Sequence, residues 1–254
     1  MKISIITATY NSASTLRDTM LSVLRQGYGD WEHIVVDGRS TDGTADILRQ
    51  MEPRYGGRLR WVSEPDKGLY DAMNKGLAMA SGDVVGILNS DDFYTTDDVL
   101  ETIARTMDDG RVDAVYGDVH FVNEKDLSRC VRYYSSAGFR RWKMRFGLMP
   151  AHPTFYCRRE LYERYGGFDT SYRVAADFEQ LLRLIFIHRI TARYVPRDFV
   201  TMRTGGASTS GWRSHLRIMQ DHLHAFRCHG IHTNMFLLSM RYPYKIWEQL
   251  CASF

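Results

Sequence analysis

The stretch His33-Ile34-Val35-Val36-Asp37-Gly38-Arg39-Ser40-Thr41-Asp42-Gly43-Thr44 opens on apolar, β-branched residues and breaks abruptly into a polar loop. A short apolar run bounded by turn residues reads as a buried strand. Asp42 or Thr44 then caps the helix spelled out by the spacing of Ala45, Leu48 and Met51, because Asp and Thr side chains satisfy the free amides of a helix start. Asp37 ends the apolar run, where its carboxylate can accept hydrogen bonds from a base or ribose.

The same unit recurs on both sides. Ile3 to Thr7, Leu59 to Val62 and Val84 to Leu88 are further apolar runs, with helical spacing at Leu16, Met20, Val23 and Leu24 and again at Tyr70, Met73, Leu77 and Ala80. Parallel strands need crossovers, usually helical and right-handed, so the alternation predicts an α/β sheet with helices on both faces. A ligand of such a sheet lies outside the carboxyl ends of its strands. To that rim the sequence delivers Thr9-Tyr10-Asn11, the Asp37 to Gly43 loop, Ser63-Glu64-Pro65-Asp66-Lys67-Gly68 and Asn89-Ser90-Asp91-Asp92.

Adjacent carboxylates directly after a buried strand can hold a hard divalent cation, Mg²⁺ or Mn²⁺, that also grips phosphate oxygens. The plain alternative is a turn cap at Asp91 beside a solvated Asp92; position at the rim favours the cation. In the second half the rhythm is lost. Ala114 to Tyr116 and Val119 to Val122 read as strands, a helix runs from about Ala176 to His188, and Gly205-Gly206-Ala207-Ser208 turns into a helical tail. The tail carries Leu216, Met219, Leu223 and Phe226, then Met235 to Met240, then Ile246, Trp247 and Leu250.

A chain of 254 residues, 44% of them hydrophobic, can bury a substantial core. Its net charge of +3 does not suit a dedicated nucleic-acid binder. Cys130, Cys157, Cys228 and Cys251 form no C-x-x-C pair and read as reduced thiols. Met1-Lys2 leads straight into the first strand, leaving no room for a signal peptide, and no apolar run reaches the roughly 18–20 residues of a membrane span. The expected location is the cytoplasm or the inner face of the cell membrane. P-loop, dinucleotide, zincin and nucleophile-elbow motifs are missing, which removes kinase, dehydrogenase, metalloprotease and hydrolase readings.

Thr9-Tyr10-Asn11, the Val-Val-Asp37-Gly-x-Ser-Thr-Asp42-Gly-Thr segment, Asn74-Lys75-Gly76 and Asn89-Ser-Asp91-Asp92 together resemble the motifs of family 2 glycosyltransferases. The resemblance implies a GT-A fold, a Rossmann-like mixed sheet with helices on both faces, here carrying a C-terminal helical appendage. It assigns residues 1–204 to the catalytic domain, 1–117 as nucleotide-sugar half and 118–204 as acceptor half, and 205–254 to the tail. It places Thr9, Asn11, Asp37, Asp66, Lys67, Asn74 and Asp91 in the nucleotide-sugar site, with Asp37 on the base and Asp91 on the ribose. Asp92 would take the metal on the diphosphate; because Asn89 stands in the first place of the usual D-x-D motif, Asp91 is also a candidate ligand.

Further on, His152-Pro153-Thr154-Phe155, Gly166-Gly167-Phe168-Asp169 and Ala175-Ala176-Asp177-Phe178-Glu179 resemble the acceptor half of bacterial members. Asp177 matches the catalytic carboxylate. An alcohol attacking an anomeric carbon must lose a proton as the leaving diphosphate departs, so a base on the acceptor side is required; one base opposite the leaving group implies inversion. The plain alternative for Asp177 is a favourable charge at a helix start. Where many members carry Glu-Asp, Ala176 precedes Asp177, so the second carboxylate is offered by Glu179 or is absent. His152, Lys67, Lys75 and Arg203 are candidate helpers for the diphosphate or acceptor.

The expected donor is a nucleoside diphosphate sugar, a UDP-sugar above others, and the acceptor a glycan or lipid-linked molecule of surface polysaccharide assembly. A sugar-nucleotide pyrophosphorylase is the enzymatic alternative, but Thr9-Tyr-Asn-Ser-Ala-Ser is not its Gly-rich phosphate loop. A non-catalytic carbohydrate or nucleic-acid binding module is the alternative outside enzymes. It draws on Arg129 to Arg145, which holds six basic and no acidic residues among Tyr133, Tyr134, Phe139 and Trp142. That stretch is equally suited to anionic lipid head groups or to the pyrophosphate of a lipid-linked acceptor, the latter agreeing better with the neighbouring motifs, and a plain solvated loop is as good a reading as either; the tail also suits peripheral membrane contact. His224 and Cys228, four apart, suggest a zinc site only weakly, and packing of the tail on the catalytic domain is the favoured reading.

Overall fold

The computed structural model describes residues 1–172, 174–204 and 211–244, with the backbone alone for 211–215. Its first half is the expected alternation. Strands β1 (Ile3–Thr9), β2 (Trp31–Asp37), β3 (Leu59–Ser63) and β4 (Val84–Ile87) are joined through helices α1 (Leu16–Leu24), α2 (Thr44–Met51) and α3 (Leu69–Met79). These strands run parallel in the order β3-β2-β1-β4. Every residue of β1 and β2 is buried, as expected of parallel strands covered on both faces. Alternate side chains go to two cores: Ile3 and Ile5 pack with Leu16, Met20 and Leu48, while Ile6 and Ala8 pack with Tyr70 and Met73.

The second half extends the same sheet with mixed direction. After β5 (Phe93–Tyr94) and α4 (Val99–Met107) come β6 (Ala114–Asn123), β7 (Asp126–Tyr134), β8 (Tyr156–Arg158), α5 (Arg159–Tyr165), α6 (Ala176–Leu181) and β9 (Ala192–Arg203). The full order is β3-β2-β1-β4-β8-β6-β9-β5, with β7 paired to β6. β8 runs antiparallel to β4 and β6, and β9 runs parallel to β6. Gly86 of β4 admits the β8 ring of Tyr156; a Cβ there would stand 2.1 Å from that ring.

Three local expectations are corrected. The two strands expected at Ala114 to Tyr116 and Val119 to Val122 are one strand, β6, whose register against β9 shifts around Asp118. The basic aromatic stretch is not a loop: it forms the edge strand β7 and a 3₁₀ turn at Arg141–Phe146. The helix expected over about 176–188 is α-helical only to Leu181 and continues as a π-helical turn, Leu182–Ile187.

The tail supplies α7 (Gly211–Cys228) and α8 (Met235–Ser239). Met219, Ala225, Phe226 and Leu238 are buried in the same core as Phe178 and Leu182, which precede the tail. The His222 ring stacks on Phe178 at 3.7 Å. The turn expected at Gly205 to Ser208 and the apolar positions Ile246, Trp247 and Leu250 lie outside the described residues, as does Cys251. Cys130, Cys157 and Cys228 are free thiols.

Candidate active site

A cleft of about 620 Å³ opens at the carboxyl ends of β1 and β2, between the loops after those strands, the loop after β4 and the start of α3. Thr9 and Asp66, both expected in the site, line it. The Thr9 hydroxyl is buried without a hydrogen-bond partner, which costs free energy unless a ligand or water supplies one. Gly38 lets the second loop press against the third. A Cβ at Gly38 would lie 2.5 Å from Asp66 Oδ2 and 3.3 Å from the Tyr10 ring.

Tyr10, Ser12, Arg39, Leu69 and Ser90 also line the cleft, and sequence reasoning assigned none of them. The signal for Tyr10 was its place directly after a buried strand; its ring is 65% exposed. Arg39 holds a left-handed backbone, φ 62°, a conformation unfavourable for a non-glycine residue and recurrent at binding sites.

Three residues expected to touch the nucleotide sugar make hydrogen bonds within the protein. Asp37 is fully buried, and its carboxylate accepts from the Ser40 amide at 3.2 and 3.3 Å, the Ser40 hydroxyl and the Ser63 hydroxyl at 2.6 Å. It shapes the loop that forms the cleft wall. Asn11 braces the same loop, accepting from the Thr41 amide at 2.9 Å while its own amide donates to Ser40 Oγ at 2.7 Å. Asn74 clamps a distant loop: its amide donates to the Phe168 carbonyl and accepts from the Phe168 amide, both at 2.8 Å.

Lys67 is exposed and does not line the cleft, and Lys75 is spent on Glu64 at 2.8 Å and the Pro65 carbonyl at 2.8 Å. The cap expected at Asp42 or Thr44 is instead Gly43 in a left-handed conformation, with Asp42 just before it accepting from the Thr44 amide at 3.0 Å.

The loop after β4 presents Asp91 partly exposed and Asp92 buried. Burial and then repulsion from Asp91 push the Asp92 carboxyl well above the usual carboxylate range, opposed by Asn89, whose Nδ2 donates to Asp92 Oδ2 at 2.8 Å, and by Arg203. A pair so arranged favours a neutralising positive charge. Arg203, far away in sequence at the end of β9, donates to the Asp91 carbonyl at 2.5 Å and pairs with Asp18 at 2.5 Å. Among the described residues no three His, Cys, Asp or Glu side chains cluster to hold a metal. His224 and Cys228 do approach, with Nε2 and Sγ 3.4 Å apart, but lack a third ligand.

Asp177 sits in the first turn of α6, its Oδ1 accepting from the Phe178 amide at 2.8 Å. Burial raises its carboxyl above the usual range, opposed chiefly by the neighbouring His152. His152 is itself buried and edges onto Phe168 at 5.7 Å, and Phe168 in turn stacks on Tyr70 at 5.8 Å. Tyr70 donates to the Val174 carbonyl, tying α3 to the segment before Asp177. The same end of α3 carries the cleft-lining Leu69 and Ala72, so one helix end borders both the cleft and the carboxylate. Glu179 cannot serve as a free second carboxylate. It is buried between Arg183, at 3.1 and 3.0 Å, and His229 of the tail at 2.8 Å.

A family model described as "Glycosyl transferase family 2" matches residues 4–166. The chain belongs to glycosyl transferase family 2. A PGL/p-HBAD biosynthesis glycosyltransferase of Mycobacterium bovis is 33% identical over 193 residues, 76% of this chain and 73% of that protein. Two solved family-like structures share the fold, and both support the GT-A architecture. The 1–349 fragment of S. aureus TarS in complex with UDP-GlcNAc has a TM-score of 0.67 at 19% identity, covering 89% of this chain and 66% of the fragment. A mannosyltransferase from Pyrobaculum calidifontis, in complex with GDP-Man and Mn²⁺, has a TM-score of 0.66 at 22% identity, covering 89% of this chain and 63% of that one. The family 2 chain is thus a glycosyltransferase by descent, and its mixed sheet is that of its structural neighbours.

Proposed function

We propose that this glycosyltransferase moves a sugar, with inversion, from a nucleoside diphosphate donor to a glycan or lipid-linked acceptor of cell-surface polysaccharide assembly. The observation that carries the reading is the shared position of α3. Its first turn lines the cleft where the donor would lie, and its Tyr70 holds the segment leading to Asp177, the proposed base. A UDP-sugar is the favoured donor, supported by the UDP-GlcNAc complex of the TarS fragment; participation in surface glycan synthesis is supported by the mycobacterial relative.

Asp91 and Asp92 would hold a divalent cation, Mn²⁺ or Mg²⁺, whose remaining ligands come from the diphosphate and water; the Mn²⁺ complex of the mannosyltransferase supports this. When bound, the cation offsets the charge that builds on the departing diphosphate. Arg203 fixes the backbone that carries the two carboxylates. Asp177 accepts the proton of the attacking hydroxyl, and its buried setting, together with His152 and Phe168, keeps bulk water from competing. The protein would work at the cytoplasmic face of the membrane. Among the described residues no helix is long and apolar enough to cross a bilayer, and peripheral contact is supported by Trp142, Phe236 and Met240, which are 58, 72 and 42% exposed.

Calorimetric titration of UDP with and without Mn²⁺ tests the donor site. Metal-dependent binding is expected, weakened at least ten-fold in Asp91→Asn and in Asp92→Asn. UDP binding that ignores both chelator and these substitutions overturns the cation assignment.

A further inference from the structure

Four residues on four different strands stand in one row across the second half of the sheet. Phe93 of β5 pairs with Thr201 of β9, Thr201 with His120 of β6, and His120 with Tyr133 of β7. Residues directly opposite one another share a face. One same-face step along β9 from Thr201 stands Arg203, 5.2 Å from the Phe93 ring and bonded to the Asp91 carbonyl. The row therefore begins beside the proposed diphosphate site. At its other side Gly117 bonds through both backbone groups to Thr154 Oγ1 at 3.1 Å, in the turn that carries His152 next to Asp177.

The side chains of the row are locked from beneath. His120 Nδ1 pairs with Asp198 and its Nε2 lies 3.2 Å from Thr201 Oγ1. The hydroxyls of Tyr133 and Tyr194 donate to one oxygen of buried Asp118 at 2.7 and 2.8 Å, while the Ser136 amide fills the other oxygen at 2.6 Å. Yet Tyr133 is 54% exposed. An aromatic ring held at a fixed tilt and left open is a platform for the C–H face of a sugar ring, and a phenol that donates inward keeps lone pairs for incoming hydroxyls. Asp118 and Asp198 face each other across the strands, so a phosphate or carboxylate meets like charge here whereas hydroxyl donors do not.

We infer that this face, centred on Tyr133 and His120 with Phe93 at its donor end, seats the acceptor as a neutral, hydroxyl-bearing sugar residue. The inference rests on the transferase reading and adds the chemical class of the acceptor to it. Saturation-transfer NMR with a panel of neutral p-nitrophenyl glycosides, run with and without UDP and Mn²⁺, tests it, beside the same glycosides bearing a 6-phosphate. At least one neutral glycoside is expected to bind more tightly than its phosphorylated form. Its affinity should fall ten-fold or more in Tyr133→Ala and His120→Ala and by less in Tyr133→Phe, which keeps the ring but loses the hydroxyl that holds it to Asp118, with UDP affinity within two-fold throughout. Binding unmoved by these substitutions, preference for the phosphorylated forms, or no glycoside binding while UDP binds normally overturns the acceptor face. Failure of UDP itself to bind is a separate result and counts against the donor site.

Discussion

As the proposed base, Asp177 must be ionised to accept a proton, and burial lifts its carboxyl above the ordinary carboxylate value. The acid limb of kcat should accordingly lie above the range of an ordinary aspartate, turnover rising as the pH passes through the raised value. Asp177→Asn should cut transfer by roughly 10²- to 10⁴-fold, the usual contribution of a positioned base, and abolish that limb, while UDP binding measured by calorimetry stays within two-fold. Normal turnover in the variant would remove Asp177 from the chemistry. At this scale the sequence was legible for position, since a place after a strand end is what brings Thr9 and Asp66 to the cleft. It was opaque wherever the partner is remote. Nothing near Asp37 announces that Ser63, on the neighbouring strand, takes up one of its oxygens, and nothing near Arg203 points to Asp91.

The clamp from α3 to the loop at Gly166–Phe168 belongs to the scale of elements. Asn74 makes both of its bonds to Phe168, and a Cβ at Gly167 would come within 2.4 Å of Asn74 Oδ1. Phe168 is the ring against which His152 and Tyr70 lean. Asn74→Ala should destabilise the protein by roughly 1–3 kcal/mol, the cost of stranding buried backbone groups, and lower kcat at least ten-fold with little change in donor KM. A rise in donor KM at constant kcat would instead return Asn74 to the nucleotide site.

The four parallel strands and their helices could be read because each is a local period in the sequence. β7 lacked that signal because nearly all of its residues are exposed, so no apolar alternation marks it. β9 lacked it because Pro196 interrupts its ladder near the register shift and because both its partners, β6 and β5, are distant in the chain.

Over the whole molecule, the tail is joined to the catalytic half through buried groups, and this has a pH signature. His222 is buried against Phe178, and burial depresses its ring to about 3 from an ordinary 6.5. The folded protein therefore keeps it neutral while the unfolded chain takes up a proton below pH 6.5, so this contribution to stability falls as the pH drops from 6.5 toward 3. His222→Leu cannot show that loss. The stability gap between wild type and variant, followed by urea unfolding, should shift in the variant's favour by about 2 kcal/mol between pH 7 and pH 5. A pH-independent gap would mean that His222 takes up its proton in the fold as readily as in the unfolded chain.

Membrane contact is also a property of the whole surface. Trp142 lies in the 3₁₀ turn after β7, Phe236 and Met240 lie in and just after α8, and neither 129–145 nor 229–244 contains an acidic residue. Cosedimentation with vesicles rich in phosphatidylglycerol should fall several-fold in Trp142→Ala/Phe236→Ala and with rising salt; unchanged sedimentation excludes this surface as the contact. The apolar spacing of the tail made its helices legible, but the side it buries depends on where Phe178 and Leu182 stand.

The place of β9 between β6 and β5 bears on how the enzyme is made at the ribosome. The nucleotide half can close from neighbouring segments as they emerge, yet β5 has no strand to pair with until residue 201 has been synthesised. Arg183 donates to the carbonyls of residues 165–167 and to Glu179, and Glu179 waits longer still for His229. A nascent chain would therefore form the cleft at the ends of β1 and β2 before the segment around Asp177 is braced, and synthesis through residue 229 supplies the last part of that brace.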